Sequence, residues 1–370
     1  MKRLVVKIGS STLVTPDGGI DRAWLNDLAG QVARVREAGW QVVIVSSGAI
    51  AFGVERLGLS ERPSDVPGLQ AAASVGQPAF AAAYGEAFHR FGIVTSLVLL
   101  TRRDTADRRA YLHARDALNR LLDLGVVPIV NENDTVSVEQ IRFGDNDTLS
   151  ALVACLVNAD LDVILSDVEG LFSANPAIDP QARLIERVDE IDERILSVAG
   201  DAGTTMGSGG MITKIRAARV LGAAGIPLVV CNGHRPDAIV DAAAGKSVGT
   251  LFSATHRTHE VTPRKLWIAL GDAAHGTITV DDGARRALVE RGSSLLAVGI
   301  AHVDGDFVAD DIVDIHDGSG RLFARGRVAF GSDEVDLACG RTQQELAANR
   351  LLAVMAEKPV IHRDDLIVFE

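Results

Sequence analysis

Six short runs of branched apolar residues, spaced between positions 4 and 233, constrain the fold more than any other feature of this chain: "LVVKIG" (4–9), "QVVIVSSG" (41–48), "IVTSLVLLT" (93–101), "VVPIVNEND" (126–134), "DVILSD" (162–167) and "IPLVVCNG" (226–233). Each is almost continuously hydrophobic, as strands covered on both faces are, rather than alternating as half-exposed strands do. Between them, apolar residues recur at helical spacing, as at Trp24, Leu25, Leu28, Val32 and Val35, before "EAGW", where Gly39 is expected to stop the helix. Strands alternating with helices predict an α/β fold, a mostly parallel sheet sandwiched by helices.

At 370 residues the chain is too long for one core, given roughly 150 residues per domain. The pattern breaks near "SATHRTHEVTPR" (253–264), a polar stretch with two histidines and a proline that reads as a linker. Beyond it the segments shorten. "KLWIAL", "GTITV", "DFVADDIVDIHD" and "RLFARGRVAF" are expected as small strands of a mostly-β module, with "TQQELAANRLLAVM" as a late helix. The expected division is a domain over 1–255, a linker over 256–264 and a second domain over 265–370.

With 47% hydrophobic but only 4% aromatic residues, the core must be filled by Val, Leu, Ile and Ala. Lys and Arg number 37 against 49 Asp and Glu, a formal charge of −12 that opposes long-range attraction of polyanions. Nucleic acid and acidic membrane surfaces are therefore not expected as partners. Cys155, Cys231 and Cys339 are far apart and form no CxxC, which argues against a disulfide framework or a zinc knuckle and fits a reducing cytoplasm. Lys7 interrupts the first apolar run too early for a signal peptide, and no stretch approaches the roughly 18 apolar residues of a membrane span, so a soluble intracellular protein is expected.

In open α/β sheets, ligands bind beyond the carboxyl ends of the strands. Four polar clusters fall at such ends: Lys7 to Ser11, "SSG" (46–48), "NEND" (131–134) and "SD" (166–167). Any one of them is an ordinary strand-to-helix turn; four at one edge argue for a site. The third opens "NENDTVSVEQIRFGDND" (131–147), whose five carboxylates fit a solvated turn, a metal site or a clamp for an amino group. A further stretch, "TMGSGGMITKIRAARVLG" (205–222), runs from a glycine-rich loop into a helix with Lys214 near its first turn, the make-up of a phosphate cradle. Neither GxxxxGK[ST] nor an initial GxGxxG occurs, and "HRDD" (362–365) lacks the downstream residues of a protein-kinase catalytic loop.

Taken in order, "VVKIGSS", "IVSSGAIAFG", "LLTRRDTADRRAYLHARDAL", "PIVNENDTV", "FGDNDTLSALVA", "LSDVEGLF" and "GSGGMITKIRAA" resemble the glutamate 5-kinases of the amino acid kinase superfamily. From about residue 265, "GTITVDDGARRALVERGSSLL" is similar to the PUA domain many bacterial members carry. The resemblance implies transfer of the ATP γ-phosphate to the side-chain carboxylate of L-glutamate, the first step from glutamate to proline. It also implies Mg²⁺ arriving with the ATP phosphates rather than in a protein-only cage, proline as an inhibitor, a homo-oligomer (dimer or tetramer), and functional contact with glutamate-5-semialdehyde dehydrogenase.

Carried over by residue, Lys7 and Lys214 would hold phosphates while Ser208, Gly209, Gly210, Met211, Ile212 and Thr213 wrap them. Ser47, Asp134 and Asn146 match glutamate-contacting positions, with Asp145 a second candidate for the α-ammonium. Ser166 and Asp167 match a Thr-Asp pair near the nucleotide, and Asp147 matches the carboxylate that positions the lysines. Ser166 stands where threonine is usual, keeping the hydroxyl. "GSSTL" stands where "GTS" is common, so Ser10 and Ser11 receive no separate roles. Acetylglutamate kinase, aspartokinase, carbamate kinase and uridylate kinase share the fold and are rivals for the substrate. An RNA-binding role for the second module is disfavoured by its 11 Lys+Arg against 18 Asp+Glu over 265–370, a balance of −7.

Overall fold

Side chains of a strand point alternately to opposite faces, and this decides what each residue of β1 (Lys2–Ile8) can touch. In the computed structural model, Leu4, Val6 and Ile8 enter one apolar cluster with helices α2 (Arg22–Glu37) and α4 (Val66–His89). Val5 and Lys7, one residue out of phase, fall on the other face, which helix α6 (Asn146–Leu156) covers. The structure describes residues 1–15, 18–101, 108–137, 146–176, 178–201, 210–254, 265, 268–269 and 274–369.

All six apolar runs are strands: β1, β2 (Trp40–Ser46), β3 (Thr95–Leu100), β4 (Val127–Glu132), β5 (Leu161–Ser166) and β7 (Leu228–Asn232). Two short strands, β6 (Arg187–Val188) and β8 (Gly249–Phe252), complete an eight-stranded sheet in the order β3-β4-β2-β1-β5-β7-β8-β6. Every pair is parallel except β7 with β8, so β1, β2, β4, β5 and β7 present their carboxyl ends at one edge. The chain fills the sheet on one side of β1 through β2, β3 and β4, then crosses to β5 on the other. That reversal opens a crevice at the carboxyl end of β1.

The remaining helices of this unit are α1 (Ser10–Leu13), α3 (Ala49–Leu57), α5 (Arg108–Asp123), α7 (Glu193–Asp201), α8 (Met211–Ala223) and α9 (Ala238–Ala243). As the spacing predicts, α2 ends just before Gly39, whose φ of +91° suits glycine. Helices α3 and α4 cross with almost nothing between them. A methyl group on Gly53 would fall inside the carbonyl of Ala72, and one on Gly76 inside that of Ala49. Among the described residues no helix is long and apolar enough to cross a membrane.

Contacts divide the chain into Met1–Ala254 and Thr255–Glu370. The second unit holds a five-stranded sheet, β10-β9-β11-β12-β13, from β9 (Gly276–Val280), β10 (Ile300–Gly305), β11 (Ile312–His316), β12 (Leu322–Arg327) and β13 (Leu366–Val368). Its core gathers Ile278, Val280, Val313, Ile315 and Phe323. A buried Arg325 forks onto Asp314 across β11 and β12, at 2.7 and 3.2 Å.

Two expectations fail here. Of "KLWIAL", the described Lys265, Ile268 and Ala269 are helical rather than extended, because so short an apolar run carries no period that tells strand from helix. The single late helix is two, α12 (Gln343–Ala348) and α13 (Ala353–Glu357), following α10 (Asp282–Arg291) and α11 (Ser332–Ala338). Asn349 leaves the helix at φ −99°, ψ 115°, its side chain accepting from the N–H of Leu351 at 3.0 Å, a local bond that competes with helix propagation. The linker expected at 256–264 lies outside the described residues.

Two glycines of α4 separate packing from backbone entropy. Gly76→Ala should lower the urea midpoint, an overpacking loss of about 1–3 kcal/mol. Gly85→Ala, whose new methyl has nothing nearer than Thr95 at 3.9 Å, should raise it. The gain is about 0.5–1 kcal/mol.

Candidate active site

Lys7 at the end of β1, Asp147 in the first turn of α6 and Lys214 in the first turn of α8 meet at the crevice. Asp147 is wholly buried, and the lysines are 5% and 4% exposed, so water screens this contact little. Lys7 Nζ lies 2.6 Å from Asp147 Oδ1, and Lys214 Nζ 3.2 Å from Oδ2. Thr213 Oγ is 2.7 Å from the same Oδ2. Burial alone would push the Asp147 carboxyl up, but the charges of Lys7 and Lys214, with hydrogen bonds from Lys7 and Thr213, hold it well below the usual carboxylate range. Three buried charged groups thus carry a formal surplus of one positive charge, suited to an anion.

Asn146, one residue before Asp147, reaches the neighbouring strand ends. Its amide nitrogen donates towards the Ser46 carbonyl (3.1 Å), Ser47 Oγ (2.9 Å) and Asn131 Oδ1 (3.2 Å). Asn131 Oδ1 also accepts from the N–H of Glu132 at 2.8 Å, and Ser46 Oγ shares a 2.7 Å hydrogen bond with the hydroxyl of Tyr84 in α4. Helix α4 further braces β4, with Gln77 donating to the carbonyl of Glu132 at 3.3 Å and Gln70 to that of Thr135 at 3.1 Å.

Ser47, Asn131, Asn146 and Asp134 line a cavity of about 680 Å³, bounded on its far side by α3 and the segment joining it to α4. Gly48, at φ +118°, turns the chain from β2 into α3 at the cavity rim, a conformation that favours glycine. Asp134 follows β4 in a turn. Burial pushes its carboxyl up to about 6, against the opposing pull of the Arg62 charge. A half-buried carboxylate held this far from comfort is suited to a cationic partner.

Beneath the first turn of α6, Ser150 Oγ lies 2.9 and 3.0 Å from the two oxygens of the fully buried Asp162 in β5. Burial raises that carboxyl to about 7, with the Ser150 hydrogen bond opposing and the Asp147 charge adding. The pair ties the helix carrying Asn146 and Asp147 to the strand beside Lys7.

On the other side of β1, Ser166 ends β5 and donates to the exposed Asp167 at 3.1 Å. Gly210 caps α8 in an extended conformation and brings no side chain, so the N–H groups of Met211 and Ile212 begin a helix without a competing capping group. Of the residues expected from the sequence, Lys7, Lys214, Asp147 and Thr213 come together directly, and Asn146, Ser47 and Asp134 share the adjoining cavity. Asp145, Ser208 and Gly209 lie outside the described residues. Sequence reasoning missed Asn131 as the partner of Asn146, the Ser46–Tyr84 bond, Arg62 and the Ser150–Asp162 brace. Only Asp162 had a signal, a lone acid within a branched apolar strand.

Comparison with known proteins now bears on this geometry. The amino acid kinase family matches residues 2–232 and the PUA domain residues 276–348. The chain is 44% identical to a protein named glutamate 5-kinase from Geobacter sulfurreducens, covering 100% of this chain and 98% of that one. It is 46% identical to a glutamate 5-kinase from Gloeobacter violaceus, covering 99% of each. A third of that name, from Chromobacterium violaceum, is 47% identical over 99% of this chain and 97% of its own.

Asp134 gives a pH test. Because its folded pKa is raised from about 4 to about 6, stability is fully present below pH 4, falls as pH rises to 6 and is flat above. Asp134→Asn lacks this loss. The ligand-free variant should match wild type in urea near pH 4 and exceed it at pH 8; parallel curves across that range would refute the assignment.

Proposed function

The chain belongs to the amino acid kinase family, among its glutamate 5-kinases, and from that premise we propose that Lys7, Lys214 and Asp147 form the phosphoryl-transfer end of a site that phosphorylates the side-chain carboxylate of L-glutamate with ATP. Ser47, Asn146 and Asp134 form the amino-acid end. The observation that carries this reading is the buried Lys7–Asp147–Lys214 contact, whose Asp147 directly follows Asn146, a residue that lines the adjoining cavity together with Asp134.

Nucleophile and γ-phosphate are both anionic, so approach requires charge neutralisation more than proton transfer. The glutamate side chain, with a reference pKa of about 4.3, is already ionised at neutral pH and needs no general base. One carboxylate oxygen forms a bond to the γ-phosphorus as the bridging bond to ADP breaks, giving γ-glutamyl phosphate and ADP. Lys7 and Lys214 face the charge that accumulates on the transferring group, and Asp147 holds both ammonium groups in place beforehand. Ser47 and Asn146 orient the reacting carboxylate, and Asp134 receives the α-ammonium.

Binding of ATP is assigned to Lys7, Ser166, Asp167 and the turn from Ser208 through Gly209, Gly210, Met211, Ile212 and Thr213 to Lys214. Mg²⁺ entering with ATP would supply further charge neutralisation. Both Asp147 oxygens are engaged by lysines and Thr213, and among the described residues the exposed Asp167 is a carboxylate that would hold such an ion. Asp145 is a second candidate for the α-ammonium.

Proline keeps the α-ammonium and α-carboxylate of glutamate and is assigned as an inhibitor at the Asp134 end. The product is a mixed anhydride sensitive to water, which favours hand-over to glutamate-5-semialdehyde dehydrogenase. A cytoplasmic homo-oligomer, dimer or tetramer, completes the reading, and the three free cysteines suit that setting.

ADP release measured with glutamate, N-acetylglutamate, aspartate and UMP tests the substrate; glutamate should be the fastest, and proline should slow it. Lys214→Met leaves Lys7 and Asp147 as a balanced pair, so it should fold normally yet lose about two to three orders of magnitude in kcat. Asp147→Asn leaves two buried cations without their shared carboxylate and should cost about 3–5 kcal/mol of stability in a urea titration. Asp134→Ala should raise the KM for glutamate and leave that for ATP unchanged; the reverse pattern would sink the clamp.

A further inference from the structure

The charges lining the cavity pose a problem for the proposed substrate. Four carboxylates line its wall, Glu55, Glu61, Glu132 and Asp134, and among the described residues Arg62 is its one cationic side chain. Glutamate brings two carboxylates and one ammonium. With its side-chain carboxylate facing the lysines, its α-carboxylate lies in the adjoining cavity, whose lining is rich in negative charge. Like charges in close approach near a protein surface repel strongly enough to keep the substrate out if nothing offsets them.

The α-ammonium and α-carboxylate leave the same carbon, so their protein partners must be neighbours. Asp134 and Arg62 line the same cavity, and the Arg62 charge acts on the Asp134 carboxyl, opposing the effect of burial. Arg62 sits in the segment joining α3 to α4, exposed to solvent, where its guanidinium keeps its hydration until a ligand arrives. A guanidinium matches a carboxylate with two parallel N–H donors, a geometry that an ammonium cannot reproduce.

Resting on the glutamate reading above, we propose that Arg62 is a specificity-determining residue that pairs with the α-carboxylate of the substrate beside the Asp134-bound α-ammonium. The site would then select a zwitterionic α-amino-acid head group with two adjacent contacts, and would discriminate against amines of the same length that lack the α-carboxylate.

The informative comparison is glutamate against 4-aminobutyrate, which is glutamate without its α-carboxylate, in wild type, Arg62→Gln and Arg62→Lys. Arg62→Gln should raise the KM for glutamate about ten-fold or more and keep kcat and the KM for ATP within about two-fold. Its kcat/KM for 4-aminobutyrate should equal that of wild type, and Arg62→Lys should recover part of the glutamate affinity. An unchanged KM for glutamate in Arg62→Gln overturns the proposal, as does an equal loss with both substrates, which would mean that Arg62 shapes the cavity. Calorimetric binding of glutamate separates this proposal from the reading beneath it. Arg62-dependent binding without turnover would remove the phosphoryl-transfer reading and leave the contact standing; turnover indifferent to Arg62 would do the reverse.

Discussion

Lys7, Asp147 and Lys214 share a space closed to water, and the site depends on the way one carboxylate holds two ammonium groups there. Two cations brought this close in a buried region repel strongly, and neither would stay without the charge between them. The three residues come from a strand and two helices far apart in sequence, so the contact also fixes how α6 and α8 sit over the sheet. What remains after neutralisation is one formal positive charge, directed at the edge where the parallel strands end. The surplus is large enough to attract an anion and small enough to be buried.

In the adjoining cavity the electrostatic character is the reverse. Asn146 marks the transition, since among the described residues its amide nitrogen donates to neutral oxygens of Ser46, Ser47 and Asn131. Beyond it come Asp134 and the other carboxylates, with Arg62 among them. A ligand that is anionic at one end and zwitterionic at the other matches this sequence of charges. The raised pKa of Asp134 comes from burial, which makes its charged form unfavourable and a cationic partner welcome. Holding that carboxylate ionised costs the folded state some stability above pH 6.

Much of this was legible in the residues themselves. Five of the six branched apolar runs are strands largely buried on both faces, as continuous hydrophobicity demands, while β3 lies at the sheet edge with Leu97 exposed; four of the polar clusters at their ends mark the crevice because parallel strands share a carboxyl edge. Lys7 and Asp134 could be picked out this way, whereas pairing Lys7 with Asp147 and Lys214 needed the family resemblance, since nothing local links positions 7, 147 and 214. Partnerships were harder still. That Asn146 would meet Asn131, or Ser150 meet Asp162, depends on the register of helix against sheet, which no local pattern encodes. The second unit was less readable because its segments are short. The helical residues Lys265, Ile268 and Ala269 belong to a run too short to carry a period, and the break at Asn349 is made by one side-chain hydrogen bond.

The crossing of α3 and α4 has no layer of side chains to act as a cushion. At Gly53 and Gly76 backbone approaches backbone, so a shift of either helix is transmitted to the other undamped. Helix α4 carries Tyr84, Gln77 and Gln70 against the floor of the cavity, while α3 begins at its rim. The two walls therefore behave as one rigid bracket. In the connecting segment that carries Arg62, by contrast, side chains that line the cavity can change length and charge without disturbing the bracket beneath them.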